Sequence, residues 1–378
     1  MQQQFDAFCT QTRSLGELVK TQSEAIGTRV RRLLPMEDVY GVRQIILTGS
    51  GDSYCAALAA APALRAWTGL PVNAMVSMEA SRYVDNGRPP RSGRSRGLLI
   101  VAISSSGEVA RLIEAVQRLR RLGAITLAIT GENDSRLAQS AEKVLNIAIP
   151  PVGTGPGARS YVTSLMGVLH LGIRIAEMLM CMTMDQADGL RRDLMQLNEP
   201  LSQQAILCVA PVAEFVRSWD SAFAVDCIGS GPALASAHYT AAKLVEASGM
   251  HACAQDAEEF HHLNYFVDEP QRVPAILFAP SKAVSRTRTN ELAGILEPLG
   301  RPYLLVTDAE EFSPSAHHLV LPEVHEFFAP LLHAVPATLV AAHAALRRGS
   351  VHFRGLTGPW RGAQNAVLVR NSTIESGT

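Results

Sequence analysis

The sequence lacks the features that would assign it to several specialised classes of protein. Its 378 residues carry 34 Lys and Arg against 35 Asp and Glu, so no overall charge favours nucleic acid or a membrane surface. The opening segment MQQQFDAFCTQTRSLGELVK has no charged region followed by an apolar one, so no secretory signal is expected. The longest apolar run, near residues 165–184, is interrupted by His170, Arg174 and Glu177, which predicts a packed helix. We therefore expect a cytoplasmic α/β protein.

Patterns of a disulfide framework or a metal centre are also missing. The six cysteines are far apart and show no CxxC spacing, so we predict buried free thiols in a reducing compartment: Cys9, Cys55, Cys181, Cys208, Cys227 and Cys253. Four histidines cluster late in the chain without an HExxH pattern: His317, His318, His325 and His333. We expect them to be exposed or satisfied in the core, and we expect no metal and no cofactor. An arginine-rich stretch at residues 88–97 could steer an anionic substrate, but a solvated loop is the simpler interpretation.

Short apolar runs alternate with helical patterns through the first half of the chain. RQIILTGSGDSYCAALAAAPAL passes from a β-branched run through a Gly-Ser turn into an alanine-rich helix, and RGLLIVAISSSGEVARLIEAVQRLRRLG repeats this order. Further strands are predicted in GLPVNAMV, ITLAITG and LNIAIP, with a helix in LAQSAEKV. Apolar runs of this length between helices predict a parallel sheet covered on both faces, which is a doubly wound α/β domain.

Serine-rich turns follow two of the predicted strands. Ser53 lies at the start of one helix, and Ser104, Ser105 and Ser106 precede another. In parallel sheets ligands bind outside the carboxyl ends of the strands, and a helix start offers free N–H groups to an anion. We therefore predict that the two turns bind one phosphate-sized anion, although a serine there is also an ordinary helix cap. Neither turn fits GxxxxGK(S/T) or GxGxxG, which disfavours nucleotide sites of those types.

The strand, Gly-Ser-Gly turn and alanine-rich helix recur in the second half. AFAVDCIGSGPALASAHYTAAKLVEAS matches the first unit at the same offset, and RVPAILFAP and RPYLLVTD are further strand candidates. This pattern predicts an internal duplication with a boundary near residues 195–210. We expect a helical segment at 1–40, α/β domains at 41–195 and 196–350, and a tail at 351–378. The second half has Pro280 and Ser281 in place of the serine cluster, so the first half is the expected anion binder.

The ordered set of these motifs resembles the tandem sugar isomerase (SIS) domain family. The similarity covers about residues 40–375 and is closest to the isomerase half of glucosamine-6-phosphate synthases, stand-alone phosphosugar isomerases and fructosamine-6-phosphate deglycases. The resemblance implies a phosphosugar as ligand. It implies phosphate contacts for the serines of both turns, namely Ser53, Ser104, Ser105 and Ser106. Val109 replaces a threonine of the family's SQSGET loop, so one phosphate donor is lost.

Further site residues are implied by the same resemblance. GTGPGARSYVTSL is similar to a family segment whose sugar-contacting positions correspond to Ala158 and Ser160. AAKLVEASGMHACAQDAEEFHHLNYF aligns Lys243 and Glu246 with the family's lysine and catalytic glutamate, and His262 with its HGP histidine. In the family this histidine comes from the partner subunit, which implies a homodimer.

The chain departs from the family in three places. Only about forty residues precede the first strand, so no glutaminase half is expected within this chain. Arg370 stands where the synthase has a Schiff-base lysine, and an arginine that stays protonated cannot form that bond. HGP becomes His262-Leu263-Asn264 with aromatic neighbours, so the substrate contacts there must differ.

The proton-transfer residues also have simpler interpretations. Glu246 as a base at carbon would be held ionised by Lys243 at i−3, but such a pair is also an ordinary surface ion pair. His262 would act as the acid, although one of His261 and His262 is expected to be a surface residue. Of the neighbouring acidic pair, we interpret Glu259 as structural and assign no role to Glu258.

Three functions stay open at the level of sequence. The leading hypothesis is a deglycase that converts a fructosamine 6-phosphate into glucose 6-phosphate and an amine, because the Schiff-base lysine is missing. The alternative within the same chemistry is an isomerase, or an aminating isomerase that uses free ammonia. The alternative of another class is a non-catalytic phosphosugar sensor, although the sequence shows no helix-turn-helix segment and a sensor would not need Glu246 with His262.

Overall fold

The structure is a computed structural model that describes residues 2–84, 97–153, 155–309, 317–352, 354, 358–363 and 369–375. Most of the arginine-rich stretch at 88–97 lies outside these residues. The chain forms two compact units, which interleave along the sequence. Unit A comprises Val19–Pro150, Ser160–Met195 and Arg354–Thr378, and unit B comprises Met1–Leu18, Pro151–Arg159 and Gln196–Phe353. The four-part division expected from the sequence stays a prediction.

Helices and strands alternate in both halves of the described chain. The first half contains α1 (Gln2–Arg13), α2 (Leu15–Leu33), α3 (Met36–Tyr40), β1 (Gln44–Gly49), α4 (Asp52–Thr68), β2 (Val72–Val76), α5 (Ser77–Arg82), β3 (Leu98–Ile103), α6 (Ala110–Arg121), β4 (Ile125–Thr130), α7 (Arg136–Ser140), β5 (Lys143–Asn146), α8 (Ala158–Met178) and α9 (Met184–Gln196). The second half contains α10 (Asn198–Leu207), α11 (Val209–Arg217), β6 (Ala224–Ile228), α12 (Pro232–Ser248), β7 (His251–Gln255), α13 (Ala257–His262), β8 (Ala275–Phe278), α14 (Arg286–Leu296), β9 (Tyr303–Thr307), β10 (His317–Val320), α15 (Ala329–Arg348) and α16 (Gly358–Ala363).

Each unit contains one parallel five-stranded sheet, and the two sheets have the same topology. The strand order is β2-β1-β3-β4-β5 in unit A and β7-β6-β8-β9-β10 in unit B. Both are the flavodoxin-like order, in which the chain changes direction between its first and third strands. The parallel registers include Thr48 opposite Ala102 in the first sheet and Cys227 opposite Ile276 in the second. The predicted fold class, two doubly wound α/β sheets in tandem, is confirmed.

The two Gly-Ser-Gly turns have nearly identical backbone geometry. Gly51 has φ 56° and ψ −128°, and Gly231 has φ 58° and ψ −132°. A side chain would be strained at both positions because L-residues rarely adopt positive φ. The glycine that opens each turn is equally constrained, since a Cβ at Gly49 or Gly229 would lie 2.5 Å from the backbone of the following helix. The repeated turn chemistry agrees with the internal duplication expected from the sequence.

Buried apolar side chains fill both units, as the continuous apolar strands require. In unit A, β1 and β3 present rows of buried residues such as Ile45, Leu47 and Val101. In unit B, α15 belongs to an apolar segment, Glu326–Arg348, that is long and apolar enough to cross a membrane by length and composition. However, 89% of its most apolar window is buried within the protein. That degree of burial is typical of the core helix of a soluble protein.

Two local predictions were wrong. The stretch LAQSAEKV was expected to be one helix, but α7 ends at Ser140 and Lys143 already begins β5. Pairing with β4, which places Lys143 opposite Leu127, overrides the local helical preference. The cysteines are free, but Cys181 is exposed and Cys253 is half-buried. Cys181 follows the end of α8 in a surface turn, where apolar neighbours in sequence do not enclose it.

Candidate functional site

The two serine turns of unit A lie at the same edge of its sheet. β1 and β3 are adjacent parallel strands, and both turns follow their carboxyl ends. Ser53 is the second residue of α4, while Ser104 to Ser106 fill the connection from β3 to α6. This position is the switch point of the sheet, where α/β proteins leave a crevice for a ligand. The structure thus brings both predicted groups of serines to one edge of the sheet, at its switch point.

The three serines of the second turn differ in exposure. Ser104 is buried, and its Oγ accepts a 3.0 Å hydrogen bond from the Gly107 N–H. Ser105 is exposed, Ser106 is half-buried, and the Ser105 carbonyl accepts the Gly131 N–H at 3.0 Å. Gly107 has a positive φ of 64°, and a Cβ there would lie 2.0 Å from Ser135 Oγ. The turn is therefore shaped by its own hydrogen bonds, with Ser105 and Ser106 more open to solvent than Ser104.

Glu108 connects the end of this turn to the start of α7. Arg136 Nε donates to its carboxylate at 2.6 Å, and the Arg136 N–H donates at 3.1 Å. Hydrogen bonds from the Arg136 side chain and backbone hold the pKa of the Glu108 carboxyl below its usual value. The glutamate of the SSSGE motif is thus a structural anchor of the serine turn.

The C-terminal tail at residues 369–375 is attached to the same region of unit A. Ala110 N–H, in the first turn of α6, donates to the Val369 carbonyl at 3.1 Å. Arg136 Nη2 donates to the Arg370 carbonyl at 2.6 Å, and the Arg111 guanidinium donates to the Thr373 carbonyl. Arg370 is exposed, and its charge contributes to lowering the pKa of Glu108. Arg370 therefore lies close to the serine turn within unit A.

Glu114 is the buried centre of this tail attachment. Its carboxylate accepts hydrogen bonds from Arg82 Nε at 2.9 Å, Arg111 Nη1 at 2.5 Å and the Glu375 N–H at 2.8 Å. Burial alone would raise the pKa of the Glu114 carboxyl, but the hydrogen bonds from Arg82 and Glu375 and the charge of Arg111 lower it overall. A charged glutamate is thus the form that holds the tail.

The predicted sugar-contacting residues lie at the start of α8. Ala158 belongs to unit B and is fully buried, and its N–H donates to Gln11 Oε1 at 3.3 Å and to the Pro156 carbonyl. Ser160 belongs to unit A and is half-buried. Ala158 offers no exposed side-chain surface in this structure, so Ser160 is the more accessible of the two.

Lys243 and Glu246 form an ion pair one turn apart on α12. Lys243 is fully buried, and its Nζ contacts Glu246 Oε2 and lies 5.5 Å from the centre of the Tyr239 ring. The Glu246 side chain remains 41% exposed. Burial of one partner distinguishes this pair from the ordinary surface ion pair considered above. The buried lysine therefore contacts a carboxylate that solvent can reach.

His262 has a different partner and lies at the opposite edge of the unit B sheet. Its side chain is 64% exposed, and Nε2 is 3.1 Å from Glu258 Oε1, while the other carboxylate oxygen, Oε2, lies 2.5 Å from Arg288 Nε. Hydrogen bonds from Arg288 and His262 lower the pKa of the Glu258 carboxyl. His262 ends α13, which follows the carboxyl end of β7, whereas Glu246 precedes the amino end of β7.

The segment after His262 is held by a buried polar network. Asn264 Nδ2 donates to Asp226 Oδ1 at 2.8 Å, and Asn264 Oδ1 accepts from Gln255 Nε2 at 2.9 Å. Arg301 forms a buried ion pair with Asp226 and donates to the Val273 carbonyl at 2.7 Å. The asparagine that replaces the proline of the family's HGP motif thus connects His262 to two strands of the sheet.

The late histidines that the sequence singled out have other contacts in the structure. Among the residues that the structure describes, no group of three His, Cys, Asp or Glu could hold a metal ion. His333 is buried, its Nδ1 lies 2.9 Å from Ser236 Oγ, and burial lowers its pKa to about 3. His325 Nδ1 accepts the Phe327 N–H at 3.2 Å. These two are the satisfied histidines that the sequence predicted.

Sequence reasoning missed the residues that hold the site segments in place. Arg136, Arg111 and Glu114 anchor the tail, and Asp226 with Arg301 anchors the segment after His262. The contacts that link sequence-distant segments could not be read from the sequence. Asp226 did carry a signal, since it is a charged residue inside the apolar strand β6.

Comparison with known proteins agrees with this architecture. Residues 38–173 match the family model of the SIS domain. A glutamine–fructose-6-phosphate aminotransferase (isomerizing) of Mycobacterium bovis is 29% identical over 320 residues, which cover 83% of this chain and 50% of that protein. The chain therefore spans about half the length of the curated relatives it matches.

Solved structures share the whole fold at low sequence identity. The C-terminal domain of a glucosamine-fructose-6-phosphate aminotransferase from Francisella tularensis superposes with a TM-score of 0.77 at 19% identity, covering 89% of this chain and 97% of that one. Tagatose-6-phosphate ketose/aldose isomerase from Escherichia coli superposes with a TM-score of 0.67 at 17% identity, covering 91% and 92%. These two structures show a shared fold.

Proposed function

Residues 38–173 belong to the SIS domain family, and from this we propose that the chain is an enzyme that acts on 6-phosphorylated ketoses or ketosamines. The observation that carries the proposal is the meeting of two serine turns at the switch point between β1 and β3. Hydroxyl groups and helix N–H groups at that point suit a phosphate without requiring a P-loop. Ser53, Ser105 and Ser106 are the proposed phosphate donors, and Ser104 supports the turn from inside.

We propose Glu246 as the base and His262 as the acid of a proton transfer. Glu246 is exposed enough to reach a substrate, and its carboxylate, which contacts the buried Lys243, is the proposed base. His262 is exposed at the end of α13, and its imidazole is the proposed proton donor. The substrate sugar would also contact Ser160, and Arg370 of the tail would lie near the serine turn.

The separation of these two residues supports a site shared by two copies of the chain. Glu246 lies about 21 Å along α12 from the start of that helix, at the amino edge of the parallel sheet. His262 follows β7 at the carboxyl edge, and a five-residue strand spans about 16 Å. We therefore propose a homodimer in which the partner subunit's His262 acts with Glu246 of the first.

Deglycation is the reaction we favour. Glu246 would take a proton from C1 of the open-chain ketosamine while the C2 carbonyl oxygen gains a proton, which gives an enolamine. Return of a proton to C2, with loss of the N–H proton, then converts the C1–N single bond into an imine and leaves a hydroxyl group at C2. Water would then add to C1, the C–N bond would break, and His262 would protonate the departing amine. The products are glucose 6-phosphate and a free amine, and the reaction consumes one water. No cofactor is needed, and Arg370 in place of a lysine agrees with a route that forms no enzyme Schiff base.

Aldose–ketose isomerisation is the second candidate. The same proton shift between C1 and C2, applied to a sugar phosphate without an amine, interconverts aldose and ketose. The likeness to a tagatose-6-phosphate ketose/aldose isomerase favours this reading. Amination with free ammonia would use the same residues. For both routes we propose a cytoplasmic protein, because sugar phosphates occur in the cytoplasm.

The proposal is tested by incubating the purified chain with fructosamine 6-phosphates of several amino acids and following glucose 6-phosphate with a coupled dehydrogenase. Release that disappears in Glu246→Gln, while sugar phosphate binding remains, supports deglycation and the assignment of the base. Glu214→Gln, an exposed glutamate on α11, is the matched control and should keep full activity.

Other outcomes separate the alternatives. Interconversion of fructose 6-phosphate or tagatose 6-phosphate with its aldose, without deglycation, would support the isomerase. Binding of sugar phosphates without any turnover, unchanged in Glu246→Gln, would contradict an enzymatic function and indicate a sensor.

A further inference from the structure

Unit A contains a second cavity, away from the serine turns. It has a volume of about 400 Å³ and lies among α2, α8 and α9. This size falls within the range of small-molecule sites in proteins. Its walls carry the cationic side chains of Arg31, Arg191 and Arg192 together with Ser23 and His170, and the carboxylates of Glu24 and Asp188 also line it. Polar walls of this kind do not fit an apolar occupant.

His170 lies in the wall of the cavity with one of its nitrogens already used. The residue is 2% exposed, and Nε2 is 3.0 Å from Ser23 Oγ. Nδ1 is fully buried and has no hydrogen-bond partner among the residues that the structure describes. Burial, with the nearby charges of Arg191 and Arg31, lowers the pKa of His170 to about 3. The ring is therefore neutral near pH 7, so one nitrogen donates and the other accepts.

A glycine leaves the unpaired nitrogen open to the cavity. Gly27 lies inside α2, where glycine is less favourable than alanine for helix stability. A Cβ at Gly27 would lie 3.4 Å from both Nδ1 and Cε1 of His170. Any side chain at this position would therefore contact the Nδ1–Cε1 side of the His170 ring, where the unpaired nitrogen lies.

The cationic side chains of the cavity are arranged around the opening. Arg31 is 54% exposed and contacts Asp188 at 3.3 Å, while Arg191 is largely buried by its bonds to Glu177 and Asp188. Arg192 is exposed beside them on α9. A guanidinium with exposed N–H groups binds a carboxylate or a phosphate in a planar, two-point geometry.

We propose that this cavity binds a small metabolite that carries an oxyanion group, either a carboxylate or a phosphate. In the bound state Ser23 donates to His170 Nε2, and His170 Nδ1–H donates to the oxyanion, which Arg31 and Arg192 also contact. The site differs from the proposed substrate site. His170 follows Ser160 by ten residues on α8, which is about 15 Å along the helix. The proposal does not depend on the proposed function.

The experiment is isothermal titration of the full-length protein with inorganic phosphate and with succinate, in parallel with glycerol as an uncharged control. Gly27→Ala should weaken binding of the accepted anion at least tenfold, because the methyl group covers Nδ1. Gly294→Ala is the matched control, since it replaces a helix-interior glycine of α14 that has open space around it. Arg31→Gln should weaken binding similarly, whereas Arg32→Gln, its neighbour outside the cavity lining, should not.

Comparing the two anions shows whether the ligand group is a carboxylate or a phosphate. A second control excludes binding at the serine turn. Each titration is repeated in a Ser105→Ala, Ser106→Ala background. Binding that persists there and is lost in Gly27→Ala supports the cavity site, and the anion that shows it identifies a carboxylate or a phosphate ligand. The proposal is overturned if neither anion binds up to about 10 mM, or if the observed binding is unaffected by Gly27→Ala and Arg31→Gln.

Discussion

Arg136 connects the Glu108 carboxylate with the backbone carbonyl of Arg370, which lies 234 residues further along the chain. One guanidinium thereby joins the end of the serine turn to the C-terminal tail. The tail is also held at Ala110 and at Glu114, so its attachment does not depend on one contact. The residue that replaces the family's Schiff-base lysine is thus positioned by its main chain, with its side chain left exposed.

Replacing Arg136 should loosen both segments at once. In Arg136→Gln we expect the KM for the sugar phosphate to rise about tenfold with a smaller change in kcat, because the serine turn and tail lose their common anchor. Hydrogen exchange of residues 369–375 should become faster. Arg120→Gln, which removes an exposed arginine that lies 3.8 Å from Glu142, is the control. Unchanged exchange in the tail of Arg136→Gln would contradict this role.

Glu114 should make the stability of the protein sensitive to acid. Its folded-state pKa lies below the ordinary value of 4.5, so its stabilising contribution is complete above about pH 4.5 and is lost as the pH falls through the lowered folded value. At pH 7, Glu114→Gln should cost about 2–3 kcal/mol because Arg82 and Arg111 lose a charged partner. Urea unfolding between pH 3 and pH 7 measures both effects. The wild-type and variant midpoints should converge at low pH, and a constant difference would contradict the assignment.

Replacing one member of the buried Asp226–Arg301 pair should destabilise the protein far more than replacing both. Asp226→Asn alone leaves the Arg301 charge buried without its counter-ion and should destabilise unit B by about 3–5 kcal/mol. Asp226→Asn with Arg301→Met removes both charges and should cost less. Denaturant unfolding of the wild type, Asp226→Asn, Arg301→Met and the double variant gives the coupling energy. Additive losses would show that the pair does not act as a unit.

Asn264 should act on catalysis through His262. Asn264→Leu removes the bonds to Asp226 and Gln255, so the segment that follows His262 loses these hydrogen bonds to β6 and β7. We expect kcat to fall about tenfold while the sugar phosphate still binds, because the phosphate donors lie in the other unit. Asn198→Leu, at the start of α10, is the control. An effect confined to KM would contradict a positioning role for Asn264.

Mixed subunits test the shared site directly. Glu246→Gln and His262→Ala homodimers should each be inactive. After unfolding and refolding as an equal mixture, half of the dimers are mixed, and each mixed dimer regains one intact site. About a quarter of the wild-type activity should therefore return. Activity that stays at the level of the separate variants would show that Glu246 and His262 act within one chain.

The fold followed from local patterns in the sequence. Continuous apolar runs, the turns at Gly51 and Gly231, and alanine-rich helices predicted two parallel sheets, because these patterns act over a few residues at a time. They also located the serines at the carboxyl ends of strands, since parallel strands share one edge. The strand β5 was misjudged because pairing with β4 decided its conformation, and pairing is not a local property.

The sequence by itself determined that serines follow two strand ends, while its resemblance to the SIS family supplied Glu246, Lys243 and His262 as proposed catalytic residues. Only the tertiary structure decided that Lys243 is buried while Glu246 is open, that Asn264 anchors the segment after His262, and that Arg136 and Glu114 hold the tail. These relationships join residues that are distant in sequence or depend on burial. Both are set by how the chain packs, and for that reason no short stretch of sequence encodes them.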